Sequence, residues 1–233
     1  SWRYFYFLIV ALSVAVFLSA TKIKTQKHIP ETFTIKSILS HFKDIPVISS
    51  FIALFFYFGM ELGVAVWLIT YLETIRGISP HTGVYLLSLF WLLLAIGRYT
   101  GGHLLKTHTP KTLVTTFSLF GAISLAIALY ANSTMLSMIF LPLVGFSCSL
   151  LFPTIYSVTI ENQKSGHSVV SGILFTAVIG GAIIPYLIGI TADAYSLTTG
   201  LSILFLSFIV IFLKGLSIKR THAGIEDAGS DAI

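Results

Sequence analysis

Seven long apolar runs divide this chain, and short polar segments separate them. Each run approaches or exceeds the length of about 20 residues that a helix needs to cross a bilayer. The runs are too long and too uniformly apolar for barrel strands, so we expect helices that satisfy their own backbone hydrogen bonds. The pattern predicts an all-α polytopic membrane protein with spans at residues 4–20, 47–72, 82–103, 112–131, 135–160, 168–190 and 196–214.

Composition supports the membrane class and excludes several others. The chain is 55% hydrophobic and only 10% charged, against about 25% charged in ordinary globular domains, and its mean hydropathy is +0.92. The net charge of +5 does not indicate a nucleic-acid partner, because the basic residues lie between the spans. Cys148 is the single cysteine, which excludes an internal disulfide. We expect no cofactor and no metal site, because no span carries two histidines at metal-ligand spacing.

The distribution of basic residues predicts the orientation. Twelve of the 14 basic residues fall in alternate connections, namely 21–46, 98–111, 161–167 and the C-terminal tail. The positive-inside rule places these segments in the cytoplasm, so the N-terminus is predicted outside a plasma (inner) membrane and the C-terminus inside. Residues 1–20 can also be read as a signal peptide, but the lysine cluster that follows would then have to be translocated.

The polar segments also suggest the domain organisation. Residues 1–20 form one leading span, and residues 47–217 form a six-span unit. Between them, apolar residues recur at helical spacing in the basic stretch 21–46, which fits either a short amphipathic helix at the inner interface or an ordinary linker; these residues are Ile35, Ile38, Leu39, Phe42 and Ile45. Residues 218–233 are polar and acidic and are predicted to be disordered.

Glu61 is the most informative single residue, because it lies in the middle of the otherwise uncharged stretch Phe51–Tyr71. An acidic group at that depth costs roughly 2.5–3.5 kcal/mol on insertion scales, so it should face a partner or a watered cavity. Tyr57 precedes it by one helical turn and shares its face. Trp67 is either an interfacial anchor or a stacking platform for a sugar ring. We assign Tyr57, Glu61 and Trp67 to a solute or ion pathway; the alternative is a buried structural pair.

Arg98 lies between Gly97 and Gly101 near the predicted inner end of the third span. Glu161 ends the fifth span on the same side, so we predict a conformational latch between Arg98 and Glu161. The alternative is an arginine that snorkels to lipid headgroups. The two glycines are predicted hinges.

Further predicted hinges lie in the fifth and sixth spans. Pro153 removes a backbone donor from the fifth span and should kink it. In the sixth span, Gly180, Gly181 and Pro185 make the helix bendable. Interrupted helices at matching places in two halves of a chain are a sequence signal of a transporter site.

Four of these segments together resemble the C-terminal half of a major facilitator superfamily transporter. They are GMELGVAVW (59–67), GRYTGG (97–102), FPTIYS (152–157) and GGAIIP (180–185). The nearest branch is the fucose:proton symporter-like sugar transporters, which include glucose/galactose permeases. The resemblance implies twelve helices in two six-helix halves with the solute between them. This chain would supply the last helix of the first half, residues 1–20, and a complete second half built as a three-plus-three inverted repeat.

The resemblance therefore implies a secondary active transporter that moves a hexose or related sugar by alternating access. Its expected partners are the solute, a coupling proton or sodium ion, the bilayer and the missing N-terminal half of the same transporter. The proton-coupling acids of this branch lie mainly in the first half, so no coupling role is carried over to a residue here. The alternatives are a non-transporting fragment, a structural or receptor-like membrane subunit, and a membrane enzyme. The enzyme lacks support, because the chain contains no Gly-x-Ser-x-Gly motif.

Overall fold

The computed structural model describes residues 2–21, 35–163 and 165–218, and every regular element in these ranges is helical. The helices, in chain order, are α1 (Trp2–Ala20), α2 (Ile35–His41), α3 (Ile45–Arg76), α4 (Pro80–Thr107), α5 (Pro110–Tyr130), α6 (Thr134–Cys148), α7 (Leu151–Glu161), α8 (His167–Thr176), α9 (Gly180–Ala194), α10 (Leu197–Leu201) and α11 (Leu204–Ser217). A 3₁₀ turn, Ala177–Ile179, connects α8 to α9.

Six helices or pairs of helices in the described ranges are long and apolar enough to cross a membrane. They are α3, α4, α5, α6 with α7 (Thr134–Glu161), α8 through α9 (His167–Ala194), and α10 with α11 (Leu197–Ser217). These confirm the six spans predicted after residue 46. Most of them run past the predicted ends, because polar residues such as Arg76 and Lys106 continue the helix instead of ending it.

The chain divides into two compact units, Ser1–Thr32 and Phe33–Ile233. The first contains α1, an apolar helix whose described side chains are exposed. The second contains α2 to α11. Within the predicted linker, α2 ends at His41, and Ile45 already belongs to α3. The predicted tail lies almost entirely outside the described residues.

The connections between spans use proline and a capping hydroxyl. Ser79 precedes Pro80, and its hydroxyl accepts a hydrogen bond from the Thr82 amide at 3.4 Å. Thr109 precedes Pro110 and caps α5 in the same way. Proline fits the first helical position because its missing N–H would have no partner inside the helix. Each hydroxyl satisfies one of the free amides at the start of its helix.

Helix α3 is the centre of the bundle and contacts α4, α6, α7, α8, α9 and α11. Its fully buried side chains recur at helical spacing on the packed faces, as in Leu54, Tyr57, Leu68 and Tyr71. At its C-terminal end, Arg76 donates from Nη2 to the carbonyls of the last turn of α5 at 3.0 and 3.1 Å. Glu61 therefore lies on the helix that contacts most of the other elements of the unit.

The first three spans of the bundle are continuous, whereas each of the last three is interrupted. The interruptions are at Ser149–Leu150, Ala177–Ile179 and Ser202–Ile203. Pro153 explains the first: a proline lacks the amide that would bond the carbonyl four residues earlier, which here belongs to Ser149, and its ring clashes with that carbonyl. The kink thus falls one turn before the proline itself.

Candidate functional site

Three side chains from α3 and α4 form a polar cluster inside the apolar bundle. Arg98 donates from Nη2 to Glu61 Oε1 at 3.3 Å and to Tyr57 Oη at 3.2 Å. One nitrogen therefore contacts both residues that the sequence placed together on α3. The cluster joins two of the predicted pathway residues to the predicted latch arginine.

The three members of the cluster differ sharply in exposure. Glu61 retains 7% of its accessible surface and Tyr57 none, whereas 46% of the Arg98 side chain is exposed. Arg98 therefore covers a buried carboxylate from the surface of the bundle and compensates its charge. A carboxylate left unpaired at this position would be strongly destabilising, because burial removes the water that solvates it.

Small residues bring α4 close enough for this pairing. The buried side of α4 carries Gly97 and Gly101, which pack against Ser149 and the Leu150 side chain at the break between α6 and α7. A Cβ at either glycine would overlap these neighbours. Helix α4 is uninterrupted through both positions, so in this structure the two predicted hinges are packing contacts that fix the register of Arg98.

The predicted pairing of Arg98 with Glu161 is not formed; the guanidinium bonds Glu61 instead. Arg98 lies well inside α4, level with the Gly97–Ser149 contact, whereas Glu161 is the exposed last residue of α7. At 1.5 Å per residue, Ser149 and Glu161 are about 18 Å apart along their span, further than an arginine side chain reaches. Helix α4 also continues to Thr107, four residues past the predicted end of the third span.

The predicted hinge glycines of the sixth span pack against α3. Gly180 follows the 3₁₀ turn directly, and a Cβ there would overlap the backbone carbonyl of Phe55. Gly181 lies against Leu62 and the Phe58 carbonyl. The 3₁₀ turn Ala177–Ile179 is the interruption itself. Gly180 therefore lies where the chain changes from 3₁₀ to α-helix, and it also packs closely against α3.

Trp67 and Pro185 are brought together. Trp67 Nε1 donates to the Pro185 carbonyl at 3.0 Å, and its ring lies over Gly189. The indole is half-buried and bridges α3 to α9. Trp67 therefore holds the proline-containing part of α9 against the central helix, separate from the polar cluster around Glu61.

An aromatic group beside the polar cluster was missed by the sequence reading. The Tyr57 ring stacks on Phe152, with centroids 5.9 Å apart. Phe152 in turn contacts the rings of Phe58, Tyr156 and Phe175 at centroid distances of 5.3, 5.6 and 6.1 Å. Phe175 is 53% exposed. The members come from α3, α7 and α8, so the only sequence signal was the presence of aromatic residues in the FPTIYS and adjacent segments.

The chain belongs to the Major Facilitator Superfamily, whose family pattern matches residues 1–185. The fold agrees: the crystal structure of the Escherichia coli fucose:proton symporter superposes with a TM-score of 0.79 and 26% identity, covering 90% of this chain and 53% of that one. The structural likeness therefore extends over nearly the whole chain and about half of the symporter.

Two relatives are also similar in sequence. A glucose/galactose transporter of Brucella abortus is 31% identical over 163 residues, which is 69% of this chain and 38% of that protein. The L-fucose-proton symporter of Escherichia coli is 28% identical over 164 residues, which is 70% of this chain and 37% of that protein. The chain thus matches half or less of the length of these relatives.

Proposed function

We propose that this chain is the C-terminal half of a secondary active transporter that moves a hexose or related sugar by alternating access. The relatives named above are a glucose/galactose transporter and a fucose:proton symporter, and the resemblance in four motifs points the same way. In such a transporter one bundle rocks against the other around a central solute site. The partner would be the N-terminal half, with a proton as the coupling ion.

The observation that carries the proposal is the cluster of Tyr57, Glu61 and Arg98. Apolar protein cores rarely contain a buried carboxylate. In a membrane protein such residues mark solute or ion pathways. Here the carboxylate is buried but its arginine partner is half-exposed on the surface of the bundle. A charged pair that is reachable from one side has the arrangement expected of a site facing a solute cavity between two halves.

The Arg98–Glu61 pair can also act as the conformational latch that was predicted between Arg98 and Glu161. A ligand or a second bundle shifts a two-state equilibrium only if it interacts differently with the two states. Because half of the Arg98 side chain is exposed, a group on the opposite half can compete with Glu61 for its donors. The interrupted spans, at Ser149–Leu150 and beside Gly180, give the bundle places at which to bend between states.

Transport by the full-length protein tests this proposal. We expect saturable uptake of glucose, galactose or fucose in proteoliposomes, and a marked loss of uptake with Glu61→Gln despite normal membrane insertion. The purified chain alone, shown to be monomeric, should give no saturable uptake, because the second bundle is absent. Sugar uptake by that monomer, or no sugar uptake by the full-length protein, would contradict the proposal; uptake by a cross-linked dimer would mean that two copies replace the two halves.

We also propose that the N-terminus lies outside and the C-terminus inside the membrane. In a Cys148→Ser background, single cysteines replace Lys27 in the basic segment and Asn132 in the loop between α5 and α6. An impermeant maleimide added to intact cells should label position 132 and not position 27. Labelling of position 27 from outside would show that the orientation is the opposite of the one proposed.

A further inference from the structure

The guanidinium of Arg98 has donors that the protein does not use. Arginine carries five N–H donors, and both contacts of Arg98, with Tyr57 and Glu61, are made by Nη2. In the described ranges, Nε and Nη1 have no hydrogen-bond partner, and the side chain is 46% exposed. Nη2 is therefore held by the protein, and the donors on Nε and Nη1 remain available to a ligand.

The charge balance restricts what these donors can bind. Glu61 compensates the positive charge of Arg98, so the cluster is neutral as a whole. An anionic ligand would compete with Glu61 for the guanidinium and leave an excess negative charge beside a buried carboxylate, which is unfavourable. A neutral ligand with hydroxyl oxygens can accept hydrogen bonds from Nε and Nη1 without disturbing the pair.

The aromatic group adjoins the polar cluster through the Tyr57 ring and supplies a second kind of contact. The Tyr57 ring, whose hydroxyl holds Arg98, stacks on Phe152, and Phe152 contacts the exposed Phe175 ring. Binding sites for small molecules combine apolar and aromatic walls with a few placed polar groups. A pyranose matches this combination, since it has hydroxyl groups at its rim and a face of C–H groups.

We propose that Arg98 contacts the solute directly through Nε and Nη1, that Glu61 and Tyr57 position it, and that the solute is a neutral polyhydroxylated ring. The inference rests on the proposed function and deepens it, because it names the contacting residue and excludes acidic sugars as preferred substrates. It assigns to Arg98 a role in specificity as well as in the ion pair.

Monodeoxy analogues of the transported sugar test the contact in the full-length transporter. The unmodified protein should discriminate about tenfold or more, in the apparent KM for uptake, against the analogue that lacks the contacted hydroxyl, because hydrogen bonds to charged donors are strong. In Arg98→Gln this discrimination should fall to about twofold or less for that one analogue, while the preferences at the other hydroxyls remain. Galacturonate should compete poorly with galactose.

Two variants distinguish a direct contact between Arg98 and the sugar from a purely structural role of Arg98. Arg98→Lys keeps the charge beside Glu61 but loses the planar fork of donors, so discrimination should stay lost even if protein stability is restored. Arg76→Gln, an arginine variant at the far end of α3, should leave the discrimination unchanged whatever it does to protein yield. If the unmodified protein transports sugars and Arg98→Gln keeps its full set of analogue preferences, the contact is refuted while the proposed function stands. If the unmodified protein takes up no sugar, both are refuted.

Discussion

The ion pair between Glu61 and Arg98 should respond asymmetrically to removal of its two members. Arg98→Gln leaves a carboxylate with 7% of its surface accessible and no cation beside it. Glu61→Gln leaves a guanidinium that is already 46% exposed and can turn to water. The same substitution, to glutamine, should therefore be more destabilising at position 98 than at position 61.

The magnitude follows from the two exposures. Removing one partner of a fully buried pair costs about 3–5 kcal/mol, whereas exposed pairs contribute about 0–1 kcal/mol. Because the exposure of Arg98 lies between these limits, we expect Arg98→Gln to lower the free energy of unfolding by about 1–3 kcal/mol. Glu61→Gln should lower it by about 0–1 kcal/mol, since the amide oxygen can still accept from Arg98.

The double variant sharpens the test. When Glu61 is also replaced, Arg98→Gln no longer leaves a buried carboxylate without a cation, so the double variant should be more stable than Arg98→Gln alone. Residues in direct contact show such non-additivity in a double-mutant cycle. An additive result, with the double variant the least stable of the three, would show that the pair contributes nothing at this site.

The single cysteine provides the assay. Cys148 is fully buried and is the only thiol in the chain, so a fluorogenic maleimide reports when the bundle opens. Labelling is followed during thermal or denaturant unfolding in detergent for the unmodified protein, the two single variants and the double variant. Equal stabilities of the two single variants, or a less stable Glu61→Gln, would refute the reasoning from burial.

Two further predictions concern the packing of the bundle. Gly180→Ala should lower the free energy of unfolding by about 1–3 kcal/mol, because the added Cβ would overlap the Phe55 backbone. Gly172→Ala in α8 is the control: no atom lies near its Cβ, so it should be neutral or stabilising. Equal effects of the two substitutions in the same labelling assay would contradict the packing. Arg76→Gln should lower the free energy of unfolding by about 1 kcal/mol, because its hydrogen bonds to α5 are lost. Glu73→Gln, at an exposed position, should change this free energy little. Indistinguishable melting curves for the two variants would show that the bonds to α5 are not stabilising.

The sequence allowed the spans to be predicted because the cost of polar groups in lipid leaves long apolar runs with little ambiguity. It also singled out Glu61, since an acid inside such a run needs a specific reason. The partner of Arg98 could not be predicted, because it depends on the register between α3 and α4. That register is set by where Gly97 and Gly101 pack on the break after Cys148, a contact between residues far apart in the chain.

Other features depended equally on tertiary contacts. Pro153 pointed to a weak place in the fifth span, and the break between α6 and α7 includes Ser149, whose carbonyl lies four residues before the proline. Trp67 fitted two roles, and the structure gives it a hydrogen bond across to the Pro185 carbonyl. The aromatic group around Phe152 draws on three helices, so no local pattern in the sequence could have assembled it.

The uneven distribution of helix interruptions divides the bundle into a stiff part and a compliant part. Helices α3, α4 and α5 have unbroken ladders of backbone hydrogen bonds, and each of the last three spans has a joint. Elastic deformation concentrates where the ladder is incomplete. Bending of the bundle should therefore fall in the last three spans, whereas α3 and α4, which carry Glu61 and Arg98, should each move as a rigid rod. The Arg98–Glu61 pair would then open through movement of α4 relative to α3, not through bending of either helix.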